Sequence, residues 1–285
     1  MKIDTTIVDA YLDSEDISRF SSMWLYTSRI EDGVGSIFHA PPAAEAKCEV
    51  VSRIKEEIIT HASTFVPCNA PIWEALTENW RGFLEEATMD LVVGLPEPHD
   101  ASVRQAPDGK HHIIFDLLCW EKYLDLMPLS DISQNFLTHE LFHVMVGKKF
   151  PDIECLEMQG GYIDQLDAIT FNEGFAHLVS YNGQEINTVS WDGEKLTDIY
   201  DASVFKMKDA LRENSPEKQK QYVYEASFGN YYDKYAAMCG LIYLGRQWQS
   251  GGILRLKELF DQGYCGFAAR SAGLSPHRGT HNNRT

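Results

Sequence analysis

The sequence pattern with the clearest chemical meaning is a pair of histidines four residues apart. The segment His139-Glu140-Leu141-Phe142-His143 has the pattern H-E-x-x-H. On a helix with 3.6 residues per turn, positions i and i+4 lie one above the other, so both imidazoles can bind one metal ion. Glu140 is offset by one position and can reach water activated by the metal without ligating the metal itself. The pattern predicts a zinc site with Glu140 as general base; the alternative is a chance pair of histidines on an amphipathic helix.

A catalytic zinc site needs a third protein ligand and an open fourth position. A third histidine six residues after the second is excluded, because Lys149 occupies that position. Glu173 is the favoured candidate, since it falls on the stripe of a predicted helix that should face the core, and a buried carboxylate needs a cation. One alternative is that the buried stripe is assigned to the wrong face of the helix, so that Glu173 lies on the surface. The other is that the ligand is one of three acidic residues in a segment without helical periodicity: Asp152, Glu154 and Glu157.

The elements that must position these residues are mostly helical. Apolar periodicity and capping residues predict helices over 43–61, 71–87, 130–147, 162–181, 198–212, 231–249 and 252–260. Two short apolar runs predict strands, which could pair into a small sheet, at 89–95 and 111–119. The turn-forming residues between them predict a loop over 96–109. The sequence therefore predicts a mostly helical α+β fold.

No internal repeat and no long linker separates independent domains. Three regions are expected: an N-terminal helical region over 1–88, a catalytic domain over 89–270, and a polar, aperiodic tail over 271–285. The adjacent pair His111-His112 opens a predicted strand, and we expect it on the surface rather than on a metal.

Composition excludes several classes of protein. Lys+Arg is 25 against Asp+Glu 42, a net charge of −17 that repels phosphate backbones, so no nucleic-acid partner is expected. The 6 cysteines contain no C-x-x-C pair and form neither a disulfide scaffold nor a cysteine zinc site. The first residues are acidic and lack the apolar core of a signal peptide, and no segment approaches the ~18 apolar residues of a membrane helix. We expect a cytoplasmic protein with free thiols and no membrane partner.

The two helical motifs, H-E-L-F-H at 139–143 and N-E-G-F-A-H-L-V-S at 172–180, resemble those of the gluzincin metallopeptidases, in which two helices supply His, His and Glu. The N-E-G-x-A form is similar to that of predicted zinc-dependent peptidases rather than to that of thermolysin. The resemblance covers roughly residues 89–263 and implies a zincin-like domain. In such a domain a small sheet, whose edge strand binds extended substrate, lies beside the H-E-x-x-H helix, and a helical region follows. It also implies Zn²⁺ bound by His139, His143 and Glu173, and a peptide or protein substrate.

The chain departs from the thermolysin pattern in two places. Glu173 follows His143 by 173 − 143 = 30 residues, so the segment 155–161 is expected as an insertion near the cleft. His177 stands where thermolysin-like enzymes have an aspartate that orients the first histidine. We expect a packed helix histidine there; a role beside the metal or in stabilising the transition state is the alternative.

An oxyanion stabiliser is expected, because amide hydrolysis builds negative charge on the carbonyl oxygen. The resemblance implies a tyrosine or a histidine in this role. The aromatic segment 231–235 offers candidates, among which Tyr235 is preferred over Tyr231. The alternative is that these tyrosines pack in the core.

The sequence thus predicts a zinc-dependent hydrolase, specifically a peptidase. A non-catalytic interaction protein on a degenerate peptidase fold is a second hypothesis. A di-iron carboxylate bundle is a third, disfavoured because Glu140 and His143 form the only E-x-x-H pair. Neither the substrate's identity nor the oligomeric state is predicted.

Overall fold

The computed structural model of the protein describes residues 1–27, 35–77, 79–97 and 99–275. The chain divides into two units, Met1–Lys148 and Lys149–Thr285. This boundary differs from the one expected at residue 88, because the N-terminal residues pair with the strands that follow that position. No helix among the described residues has the length and apolarity needed to cross a membrane.

The first unit contains a four-stranded mixed sheet. Its strands are β1 (Lys2–Asp4), β2 (Thr88–Val92), β3 (Ala101–Gln105) and β4 (His111–Asp116), in the order β1-β2-β4-β3. The pairs β1–β2 and β2–β4 are parallel, whereas β3 runs antiparallel to β4. The central strands β2 and β4 supply side chains with no exposed surface to the core: Met89, Leu91, Ile113, Ile114 and Phe115. Both predicted strands are therefore confirmed, and they do pair.

Two strands form where the sequence did not predict them. β1 lies in the region expected to be helical, and β3 lies in the segment expected to be a loop. Both are short and lie at the two edges of the sheet, so pairing with the apolar central strands stabilises them more than their own composition does.

The chain of the first unit also forms six described helices: α1 (Thr6–Leu12), α2 (Trp24–Thr27), α3 (Cys48–Ser63), α4 (Ala70–Leu76), α5 (Trp80–Glu86) and α6 (Leu129–Lys149). The helix predicted over 71–87 is interrupted after α4, where Thr77 is extended (φ −144°, ψ 113°). The break allows the rings of Trp73 and Trp80 to pack edge to face at 5.5 Å. The helix predicted over 130–147 is confirmed as α6, which continues through Gly147 to Lys149.

The second unit is helical. Its elements are α7 (Ile153–Gln159), α8 (Tyr162–Ser180), α9 (Glu194–Ala210), α10 (Pro216–Ser227), α11 (Tyr235–Gln262) and α12 (Phe267–Ser271). The prediction of α8 is confirmed, while α7 and α10 were not predicted. Gly252, with φ 60° and ψ −152°, kinks α11 where the sequence predicted two successive helices. Within the expected tail, residues 276–285 lie outside the described residues.

Helix α8 packs closely against α11 because two glycines face each other. A Cβ on Gly174 would lie 2.9 Å from the Cα of Gly240, and a Cβ on Gly240 would lie 2.3 Å from the carbonyl oxygen of Thr170. Only glycine at both positions lets the backbones approach this far. Four aromatic rings pack together next to this contact: Phe171, Phe175, Phe260 and Phe267. The confirmed fold class is α+β and mostly helical.

Candidate metal centre

His139 and His143 face the same way on α6, as their spacing requires. Their Nε2 atoms are 3.1 Å apart and their rings are nearly perpendicular, at 83°. Two ligand atoms held at zinc bond lengths in a tetrahedral arrangement are about 3.3 Å apart. Both imidazoles are half-buried, and the fully buried residues Leu141, Phe142 and Val144 fix the helix beneath them. The pair therefore has the spacing that chelation of one metal ion needs.

Glu140 lies between these histidines in the sequence and is only 6 % exposed. Its carboxylate is therefore screened from bulk water while it lies one residue from a candidate ligand. At this position the Glu140 carboxylate would accept a proton from water bound by a metal ion rather than exchange protons freely with bulk solvent.

A second pair of ligand types lies on α8. The Nε2 atom of His177 is 3.4 Å from the Oε2 atom of Glu173, one helical turn earlier, and their side chains are 8 % and 22 % exposed. This distance also matches the ~3.3 Å between two ligands of one tetrahedral metal. Apart from Glu173, every residue of α8 from Leu166 to Ser180 is buried. The sequence placed Glu173 on a single buried stripe, but α8 is buried on nearly all sides, and Glu173 is more exposed than its neighbours.

Tyr231 adjoins this pair. Its ring packs edge-on against the His177 imidazole, with centroids 5.1 Å apart and an interplanar angle of 82°. Burial, then the nearby hydroxyls of Tyr181 and Tyr232, and then the charge of Glu173 raise the pKa of Tyr231 well above its usual value. The phenol consequently stays protonated and can donate a hydrogen bond.

Tyr235, which the sequence favoured over Tyr231, occupies a different environment. Its side chain is 2 % exposed, and its hydroxyl donates to the carbonyl oxygen of Tyr222 at 3.1 Å. Burial raises its pKa also. The ring belongs to the core cluster that includes Leu166 and Met207. These contacts give Tyr235 a packing role, so the geometry favours Tyr231 as the hydrogen-bond donor.

The three alternative acidic ligands lie on or next to α7, in the segment expected to have no helical structure. Tyr264 donates its hydroxyl to Asp152 at 2.6 Å, and the Asn172 amide donates to Glu157 at 2.8 Å. The second bond connects α7 to the residue that precedes Glu173 on α8. Sequence reasoning missed this positioning contact, because nothing in the spacing of residues 157 and 172 indicates it.

The adjacent histidines of β4 are less exposed than expected. His112 Nδ1 lies 2.6 Å from Asp90 Oδ2, with both side chains 14 % exposed, and its ring contacts Trp24 edge-on. His111 packs against α6, where a Cβ on Gly147 would lie 2.9 Å from its Nε2 atom. Both imidazoles therefore have packing roles within the first unit, and burial lowers the pKa of His111.

Comparison of the chain with protein-family models, with curated protein sequences and with solved structures gives no significant match.

Proposed function

We propose that this protein is a zinc-dependent hydrolase that cleaves amide bonds in peptides or proteins. His139, His143 and Glu173 hold the metal. The observation that carries the proposal is the spacing of two ligand pairs: the H-E-x-x-H imidazoles are 3.1 Å apart on α6, and the Glu173–His177 pair is separated by 3.4 Å on α8. Each distance, taken by itself, suits two ligands of a tetrahedral ion.

Zinc bound at such a site supplies Lewis-acid chemistry, acidifying water and polarising a carbonyl group. The residues of this chain do the rest. Glu140 takes a proton from the attacking water and delivers it to the leaving amine. The protonated hydroxyl of Tyr231 donates to the carbonyl oxygen as negative charge develops there, since its raised pKa keeps the proton in place.

The proposed location is the cytoplasm. All six cysteines are free thiols, and two of them, Cys119 and Cys239, are buried. Free thiols are typical of reducing compartments, where disulfides rarely persist.

The decisive experiment replaces Glu140 by Gln. The amide has nearly the shape of the carboxylate, so the helix and both imidazoles stay in place, while the proton acceptor is lost. We expect the variant to keep its zinc, measured by elemental analysis, and to cleave a mixed peptide library about 10²–10⁴-fold more slowly, measured by mass spectrometry. The matched control is Glu258→Gln on the exposed face of α11, which should keep both zinc and activity.

Two outcomes would overturn parts of the proposal. Cleavage by Glu140→Gln at the wild-type rate would remove Glu140 from the mechanism, even with all three ligands confirmed. A zinc-loaded wild-type protein that cleaves no member of the library would instead favour the non-catalytic interaction protein.

A further inference from the structure

We propose that Lys195 binds a carboxylate of the substrate, so that the protein prefers acidic peptides. The inference rests on the proposed function, in which Glu173 is a ligand of the metal. The residues that form this binding surface all belong to the second unit: Glu173, His177, Tyr231, Tyr232 and Lys195. The carboxylate is either an acidic side chain or the C-terminus of the peptide.

Two tyrosines connect Lys195 with the pair Glu173–His177 through successive contacts. The ring of Tyr231 packs edge-on against the His177 imidazole, with centroids 5.1 Å apart, and against the ring of Tyr232, at 4.9 Å. The Lys195 ammonium lies 4.3 Å from the centroid of the Tyr232 ring. An extended peptide advances about 3.3 Å per residue, so a carboxylate a few residues from the cleaved bond can reach Lys195.

Tyr232 is fixed from its other side, which gives the ammonium above it a defined position. Its hydroxyl lies 3.3 Å from the hydroxyl of Tyr181, whose ring packs on that of Trp191 at 5.3 Å. Trp191 has no exposed surface and donates its indole N–H to the carbonyl oxygen of Ile186 at 3.0 Å. A cation ordered before binding loses less conformational entropy when a carboxylate binds to it.

The charge of Lys195 has no acidic partner within the protein, as a comparison with Lys206 on the same helix α9 shows. The Lys206 ammonium lies 5.2 Å from the centroid of the Tyr235 ring and forms an ion pair with Glu225 at 2.8 Å. Lys195 is placed over Tyr232 in a similar way and is exposed, yet it forms no ion pair with any carboxylate that the structure describes. An ammonium has three donors, and a ring on one side leaves donors for a ligand.

The test measures the binding of peptides to zinc-loaded Glu140→Gln protein by calorimetry, because slow turnover leaves the peptides intact. The probes are short alanine peptides, blocked at both ends, with one glutamate or one glutamine at each position in turn. A second arm compares the same alanine peptide with a free and with an amidated C-terminus. We expect one carboxylate to bind about fivefold more tightly than its neutral counterpart, which is the upper range for an exposed ion pair. The arm that shows the preference identifies the source of the carboxylate.

Substitutions of Lys195 in the same protein assign the preference to this residue. Lys195→Met should abolish the preference, Lys195→Arg should keep it, and Lys195→Glu should transfer it to peptides with lysine in place of glutamate. The matched control is Lys206→Met, which removes a lysine over a tyrosine from the same helix and should retain the preference. Salt should weaken the preference, because it screens exposed charges.

The outcomes separate this inference from the proposed function. Equal affinities for acidic and neutral peptides, no detectable binding, or a preference that Lys195→Met retains would refute the role of Lys195. Cleavage of peptides by the wild-type protein would then leave the hydrolase intact. A zinc-loaded wild-type protein that cleaves none of the peptides would refute the proposed function, whereas a preference that depends on Lys195 would still establish the carboxylate site.

Discussion

The contact between α8 and α11 should tolerate no side chain at Gly240. A substitution there should therefore lower the unfolding free energy of the second unit by a measurable amount. In Gly240→Ala the new Cβ would meet the carbonyl oxygen of Thr170 at 2.3 Å and the Cα of Gly174 at 3.0 Å. A carbon–oxygen contact normally needs about 3.3 Å, so the two backbones must separate by about 1 Å. Neither partner atom belongs to a side chain that could rotate away.

The magnitude follows from two opposing contributions. Overpacking of a core costs about 1–3 kcal/mol, and a clash with backbone lies at the upper end. Alanine gains about 1 kcal/mol over glycine in a helix interior. We therefore expect Gly240→Ala to lower the unfolding free energy of the second unit by about 2 kcal/mol. The displacement falls on the turn of α8 that carries Glu173, so metal affinity should decrease as well.

The matched control is Gly161→Ala at the N-cap of α8. Its Cβ would meet only the carboxylate of Asp164, at 3.0 Å, which can rotate aside. The variant should therefore change the unfolding free energy by no more than about 1 kcal/mol. Hydrogen–deuterium exchange of the α8 amides measures the opening free energy of this unit by itself. Equal opening free energies for Gly240→Ala and the wild-type protein would refute the close backbone contact.

The ligand, donor and burial assignments lead to three more expected results. Glu173→Ala should reduce zinc affinity at least tenfold, as strongly as His143→Ala, in dialysis against a weak chelator; full zinc retention would redirect the search to the acidic residues of α7. Tyr231→Phe should lower kcat, whereas Tyr235→Phe should cost about 0.5–1.5 kcal/mol of stability with little change in kcat; steady-state kinetics and urea unfolding separate the two. Burial raises the pKa of Asp167 from 3.8 to about 6, so its protonated form stabilises the native state at low pH, and this stability is lost as the pH rises through about 6. Asp167→Asn should remove that part of the pH dependence in thermal melts, and an unchanged pH profile would contradict the shifted pKa.

Local patterns in the sequence were sufficient to predict the helices that carry the candidate ligands. Helices α6 and α8 were predicted because apolar periodicity is a short-range property of a helix, and the i, i+4 spacing of His139 and His143 dictates which side chains share a face. The central strands β2 and β4 were predicted for a similar reason, since their buried residues are apolar and β-branched or aromatic. The zinc site, the peptidase activity and the cytoplasmic location that the sequence suggested are still proposals.

Elements whose stability depends on distant partners were not predicted. Strands β1 and β3 hold few apolar residues and exist because β2 and β4 offer them backbone hydrogen bonds. The break between α4 and α5 likewise occurs without a proline or a glycine and accompanies the long-range packing of Trp73 on Trp80. In each case the deciding interaction joins residues that no local pattern relates.

The candidate site shows the same division. The sequence by itself determined that an H-E-x-x-H pair and a Glu-x-x-x-His pair each lie on one helical face, because helix geometry is fixed by the backbone. Only the tertiary structure shows that the two tyrosines have different neighbours: the ring of His177 contacts Tyr231, and the carbonyl oxygen of Tyr222 accepts a hydrogen bond from Tyr235. The extensive burial of α8 was also a tertiary result, because the stripe in its sequence predicts one buried face, whereas the folded unit covers the helix on nearly every side.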